Sequence, residues 1–163
     1  MSSTDHLLLN NREYANQFNQ GHLPAPPGKN IAIVTCMDAR IETGVMLGLA
    51  EGDAHVLRNA GGVVTDDMIR SLVISQRLLG TREIMLIHHT GCGMMTFEDA
   101  ELKEAIEADT GIRPPFSIET FPDLDGDVRQ SIARIKASPF IPHKEQIRGF
   151  VYEVETGQLR EVS

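Results

Sequence analysis

The two cysteines of the chain, Cys36 and Cys92, each lie in a short segment dense in reactive side chains. The first segment, T-C-M-D-A-R, runs from Thr35 to Arg40, and the second, H-H-T-G-C-G-M, from His88 to Met94. His89-x-x-Cys92 has compact chelate spacing, and Cys36 adds a second thiolate from elsewhere in the chain. Two sulfurs and one imidazole suit zinc, and three protein ligands leave a fourth position open, which marks a catalytic rather than a structural site. One zinc per chain is therefore expected. Gly91 and Gly93 flank Cys92 and let the backbone bend tightly around a metal. Asp38 and Arg40 follow Cys36 closely, so an acidic acceptor and a fixed cation stand beside the open position, as activation of water requires.

Each of these residues also has a plainer reading. A cysteine at a strand end commonly serves as a small buried apolar residue. A lone histidine is commonly a satisfied polar group, and D-x-R an ordinary ion pair. Nucleophilic catalysis by Cys36 or Cys92 would need no metal. A non-enzymatic, zinc-stabilised sensor or interaction module would need a closed site with Asp38 as a permanent ligand. The chain offers no further cysteine, and His88 alternates to the opposite side of its strand from His89. His6, His22, His55 and His143 have no partner at ligand spacing.

The elements that must position these residues alternate along the chain. Residues 5–18 read as an amphipathic helix capped by Asp5, followed by the proline-rich linker LPAPPGKN at 23–30. This arm, residues 1–28, is set apart from the body and can pack either on its own domain or on a partner subunit. IAIVT at 31–35 is a continuous apolar run, as expected for a strand covered on both faces. A short helix at 42–49, a strand AHVLRN at 54–59 and a helix capped by Thr65, running through Leu79 to a stop at Gly80, come next. EIMLIHH at 83–89 is a third strand, and Thr96–Ala108 a further helix ended by Gly111. Beyond a proline-containing loop at 112–122, Val128, Ile132 and Ile135 mark another helix face. Arg148–Val154 and Leu159–Val162 read as two strands joined at Thr156-Gly157. Alternation of this kind predicts an α/β fold: an open, mainly parallel sheet with a four-stranded core and helices on both faces. With strand order 2-1-3-4, both reactive segments meet beyond the carboxyl ends of adjacent strands, where such sheets bind ligands.

The whole chain bounds the function. Its 163 residues predict a single domain, and sparse aromatics at 5% with no Trp predict an aliphatic core. A net charge of -8 disfavours nucleic acid as a partner. No apolar run approaches the ~18 residues of a membrane span. The start MSSTDHLLLN lacks a signal-peptide core, so a cytoplasmic protein is expected, in which two cysteines serve as thiols or ligands rather than as a disulfide.

C-M-D-A-R followed by H-x-x-C-G, with R-N-A-G at 58–61 between them, resembles the β-class carbonic anhydrases. The resemblance runs through most of residues 30–155 and is closest to short actinobacterial members. It implies that Cys36, His89 and Cys92 are the zinc ligands and that Asp38 and Arg40 form the catalytic dyad. It also implies reversible hydration of carbon dioxide to bicarbonate and a proton by a zinc-bound hydroxide, in a homodimer or dimer of dimers. Some members of the family let the aspartate of the dyad take the fourth position at rest. Carbon disulfide hydrolases share this fold and zinc site, which leaves carbon disulfide or carbonyl sulfide as alternative substrates. The chain departs from the pattern at Gly91, where close relatives tend to carry an acidic residue. Ala60, Gly61 and Gly62 shape a close wall to the site or merely form a turn.

Overall fold

The apolar run after the proline linker forms the middle of a sheet. The computed structural model describes residues 1–163. Strands β1 (Ile31–Cys36), β2 (Ala54–Asn59), β3 (Glu83–His89), β4 (Gln146–Tyr152) and β5 (Leu159–Val162) assemble in the order β2-β1-β3-β4-β5. The first four are parallel, and β5 returns antiparallel to β4. The predicted 2-1-3-4 core is present, with β4 beginning two residues earlier than the sequence suggested, because Gln146 pairs with Glu83 at the start of β3. Helix α1 (Ser3–Gln17) precedes the sheet, and four helices lie in the connections between strands: α2 (Thr43–Leu47), α3 (Asp66–Arg77), α4 (Asp99–Thr110) and α5 (Leu124–Ala137). None is long and apolar enough to cross a membrane.

Pleating divides β1 and β3 into two sets of side chains. Ala32, Val34, Ile84 and Leu86 face α3 and α5, where they pack with Met68, Leu72 and Ile135. Several of these are fully buried, and each such aliphatic side chain contributes ~1.5–3 kcal/mol relative to exposure. Ile33, Thr35 and Ile87 point the other way and are also buried, which accounts for the unbroken apolar run in β1. Toward the start of the strands that second face opens: Glu83 and Arg148 are exposed, Met85 and Phe150 half-buried.

Local chemistry sets the helix ends. Thr65 caps α3 by accepting the Met68 amide, and Asp66 and Asp67 occupy its electropositive first turn. The cap of α1 is Ser2 rather than Asp5: the Ser2 hydroxyl accepts the Asp5 amide while the Asp5 carboxylate takes the Ser2 amide, a reciprocal capping box. Helix α4 starts three residues later than Thr96, because residues 93–95 form a 3-10 turn and the Thr96 hydroxyl donates back to the Gly93 carbonyl at 2.6 Å. No residue of α1 is buried, and its Leu7 and Leu8 are 66% and 54% exposed. Its long-range hydrogen bond to the body runs from the Tyr14 hydroxyl to Glu51, 2.6 Å.

Candidate metal centre

Parallel pairing of β1 and β3 puts Thr35 beside Ile87, so the carboxyl ends of both strands lie side by side. Cys36 closes β1, His89 closes β3, and Cys92 follows three residues on, in the turn before α4. All three are buried, and their ligand atoms lie within 4.8 Å of one another. The Nδ1 atom of His89 lies 2.9 Å from the Thr90 carbonyl oxygen, which acts only as an acceptor, so Nδ1 carries the proton and Nε2 a lone pair. That Nε2 is buried and has no hydrogen-bond partner. An acceptor nitrogen orphaned between two sulfurs is costly unless a cation takes its lone pair. The donor set and its closure therefore fit a thiophilic dication.

The electrostatics point the same way. The Cys92 thiol beside Cys36, helped by His89 and the amides of Asp38 and Gly61, holds the Cys36 thiol down against the opposing effect of burial. The Cys36 sulfur in turn pushes the Cys92 thiol up, and burial adds to it. Burial opposes a charged His89, but the neighbouring Cys36 sulfur and the Thr90 carbonyl outweigh that, and its pKa is raised. Two buried sulfurs this close disfavour a second negative charge unless a cation joins them.

Asp38 and Arg40 sit at the mouth of this cluster. Arg40 donates from Nε to Asp38 Oδ1 (2.9 Å) and from a terminal nitrogen to Oδ2 (2.8 Å), a bidentate pair, and its amide adds a third bond to Oδ1. These hydrogen bonds hold the Asp38 carboxyl well below the usual carboxylate range. Asp38 Oδ2 lies 3.7 Å from the orphaned His89 Nε2. Arg40 also donates to the Gly91 carbonyl at 3.1 Å, tying the Asp38 loop to the Cys92 turn.

His88 takes no part. It faces α5, with its Nε2 2.7 Å from Asp127 Oδ2, on the side of the sheet away from His89. Its Nδ1 and the Asn59 Oδ1 are buried without partners too, yet no second sulfur or imidazole joins either of them.

Three contributors have contacts that the sequence reading did not assign. Arg58 donates to the carbonyls of Cys36 (2.9 Å) and Asp38 (2.7 Å) and so fixes the loop that carries both side chains. Gly61 donates its amide to Cys36 Sγ at 3.3 Å. Residues 60–62 do form a turn, a 3-10 one, and also a wall: a Cβ on Gly62 would stand 2.8 Å from the Thr35 carbonyl carbon, so only glycine fits against β1. Phe121, from the loop after α4, is buried with Cys36, Cys92, Ile41, Val63 and Met94. The R-N-A-G motif signalled the first two contributors; nothing local signalled Phe121.

Residues 31–114 match the family described as carbonic anhydrase. Over its full length the chain is 60% identical to β-carbonic anhydrase 1 of Mycobacterium tuberculosis, across 99% of that protein. The crystal structure of a carbonic anhydrase from Streptococcus mutans superposes with a TM-score of 0.94 at 48% identity, covering 100% of this chain and 99% of that one. A carbon disulfide hydrolase of Saccharolobus solfataricus is 36% identical, over 83% of this chain and 78% of its own length.

Proposed function

The chain belongs to the β-class carbonic anhydrase family, and we propose that its reversible hydration of carbon dioxide to bicarbonate and a proton runs at one zinc ion held by Cys36, His89 and Cys92. The observation that carries this reading is the orphaned His89 Nε2 between two buried sulfurs. Zinc, when bound, supplies a Lewis acid that makes water nucleophilic near neutral pH. The residues of the chain do the rest. Asp38, ionised and fixed by Arg40, accepts a hydrogen bond from the attacking water and turns a lone pair toward the substrate. Arg40 engages both Asp38 oxygens, which would oppose a turn of the carboxylate onto a bound metal. Ile41, Val63, Met94 and Phe121 give the cysteine side an apolar lining suited to a small apolar substrate. Identity of 60% to a carbonic anhydrase against 36% to a carbon disulfide hydrolase favours carbon dioxide over its sulfur analogue.

Residues 1–163 are read as one domain, with 1–28 as an arm and linker, acting in the cytoplasm as a homodimer or a dimer of dimers. Support for the dimer comes from a helix with no buried residue and from a sheet face open at Glu83 and Arg148. Elemental analysis tests the ligand set. One zinc per chain is expected in the wild type and in His88→Ala, and a loss in Cys36→Ser, His89→Ala and Cys92→Ser. Full zinc in Cys92→Ser overturns the assignment.

A further inference from the structure

Asp99 opens α4, and its carboxylate faces the loop beyond the helix. Oδ2 accepts from the Ser117 hydroxyl (3.4 Å) and from the amides of Ile118 (3.1 Å) and Glu119 (3.2 Å). Oδ1 accepts the Thr120 amide (2.9 Å) and hydroxyl (2.5 Å). Headed by the Thr120 hydroxyl, these donors hold the Asp99 carboxyl at about 2. The clamp keeps Glu119 in the left-handed region at φ 65°, which a non-glycine residue adopts only when its surroundings enforce it. The next residue but one is Phe121, 4% exposed, whose amide donates to the Met94 carbonyl at 3.2 Å.

Phe121 and Met94 both press on Gly61. A Cβ built there would meet Met94 Cγ at 3.0 Å and Phe121 Cε1 at 3.1 Å. Gly61 sits at φ 85° and, being glycine, has the widest backbone freedom of any residue, so its orientation depends on what packs against it. Its amide is the one that donates to Cys36 Sγ. We propose that Asp99 and Phe121 are positioning residues that hold the Gly61 amide on the Cys36 sulfur and thereby limit the charge this sulfur donates to the metal. The inference rests on the zinc reading above. Its physical content is that two thiolates neutralise a dication and weaken it as a Lewis acid, whereas an N–H···S bond draws electron density back from one of them. A carboxylate in the first turn of α4 thus acts on the metal through the loop, an aromatic ring and a backbone amide.

Cobalt substitution tests this. In the wild type, sulfur-to-cobalt charge transfer gives an ultraviolet band whose energy reports thiolate charge. Asp99→Asn and Phe121→Ala should shift that band to longer wavelength, with one cobalt per chain and four-coordinate d–d bands retained. Exchange of the Gly61 amide hydrogen should rise roughly tenfold, the equivalent of one lost hydrogen bond. Phe121→Leu keeps most of the volume but loses the ring edge that meets Gly61, so it should shift the band in the same direction by a smaller amount, and it carries the test should the alanine variant fail to fold. Asp99→Asn protein that is folded and cobalt-loaded, with wild-type band position and Gly61 exchange, overturns the proposal and leaves the clamp merely structural. A wild-type protein that shows no sulfur-to-cobalt band overturns the metal reading itself, a result distinct from a clamp without effect.

Discussion

Replacing Arg40 by alanine separates a catalytic dyad from an ordinary ion pair. Arg40 makes two side-chain bonds to Asp38, at 2.9 and 2.8 Å, and one to the Gly91 carbonyl at 3.1 Å. Its side chain is 53% exposed, and solvent-exposed pairs of this kind contribute little to stability, so the fold should survive. The effect on Asp38 is different. Without the guanidinium its carboxyl rises toward the ordinary range, and its oxygens are free to turn, with Oδ2 already 3.7 Å from His89 Nε2. The carboxylate then drifts from the attacking water or takes its place. Loss of one orienting contact of this kind lowers turnover by ~100-fold or more while zinc stays bound. Asp38 is also depressed in the folded state, so in the wild type it stays ionised as pH falls below the usual carboxylate range. In Arg40→Ala the acid limb of the rate profile should move to higher pH, because protonation of Asp38 begins sooner. The assay is stopped-flow hydration of carbon dioxide, normalised to zinc content, across pH. Wild-type turnover in zinc-loaded Arg40→Ala at every pH would refute the reasoning and make the pair structural.

Metal affinity should rise with pH: the Cys92 thiol is raised by the neighbouring Cys36 sulfur and His89 by that sulfur and the Thr90 carbonyl, so binding a dication displaces at least one proton near neutrality. Titration of zinc into weakly buffered apoprotein should show that release, and zinc affinity that is independent of pH between about 6 and 8 would contradict it. Gly62→Ala should destabilise the fold by ~2–4 kcal/mol, combining left-handed backbone with a Cβ driven into β1; an unchanged melting temperature would contradict the close approach. Deleting residues 1–22 should weaken self-association, because α1 has no buried residue in its own chain; light scattering that finds the full chain an active monomer at micromolar concentration would refute the dimer.

What the sequence disclosed was local. The apolar run at 31–35 marked β1, the alternation into His88-His89 marked β3, and Thr65 marked the start of α3, since each signal lies within one element. Cys36, His89 and Cys92 were legible because their residue types are rare and strand order brings their segments together. The start of α4 was not, since Thr96 resembles a cap but spends its hydroxyl on the Gly93 carbonyl. Ser2 and Asp5 both favour caps, and only the reciprocal pair of bonds decides between them. Arg58, Gly61 and Asp99 act across 18 to 25 residues of chain, through contacts that exist only in the folded chain. No local pattern announces a carboxylate at a helix start that holds a distant loop.

If a zinc ion on Cys36, His89 and Cys92 carries the activity, the metal-free protein is inert. Zinc titrated into metal-free protein, with carbon dioxide hydration followed by stopped flow, tests it directly. Activity should be negligible without metal, rise linearly, and break at one zinc per chain, a break that Cys92→Ser abolishes. Metal-free protein that hydrates carbon dioxide at the full rate would contradict it.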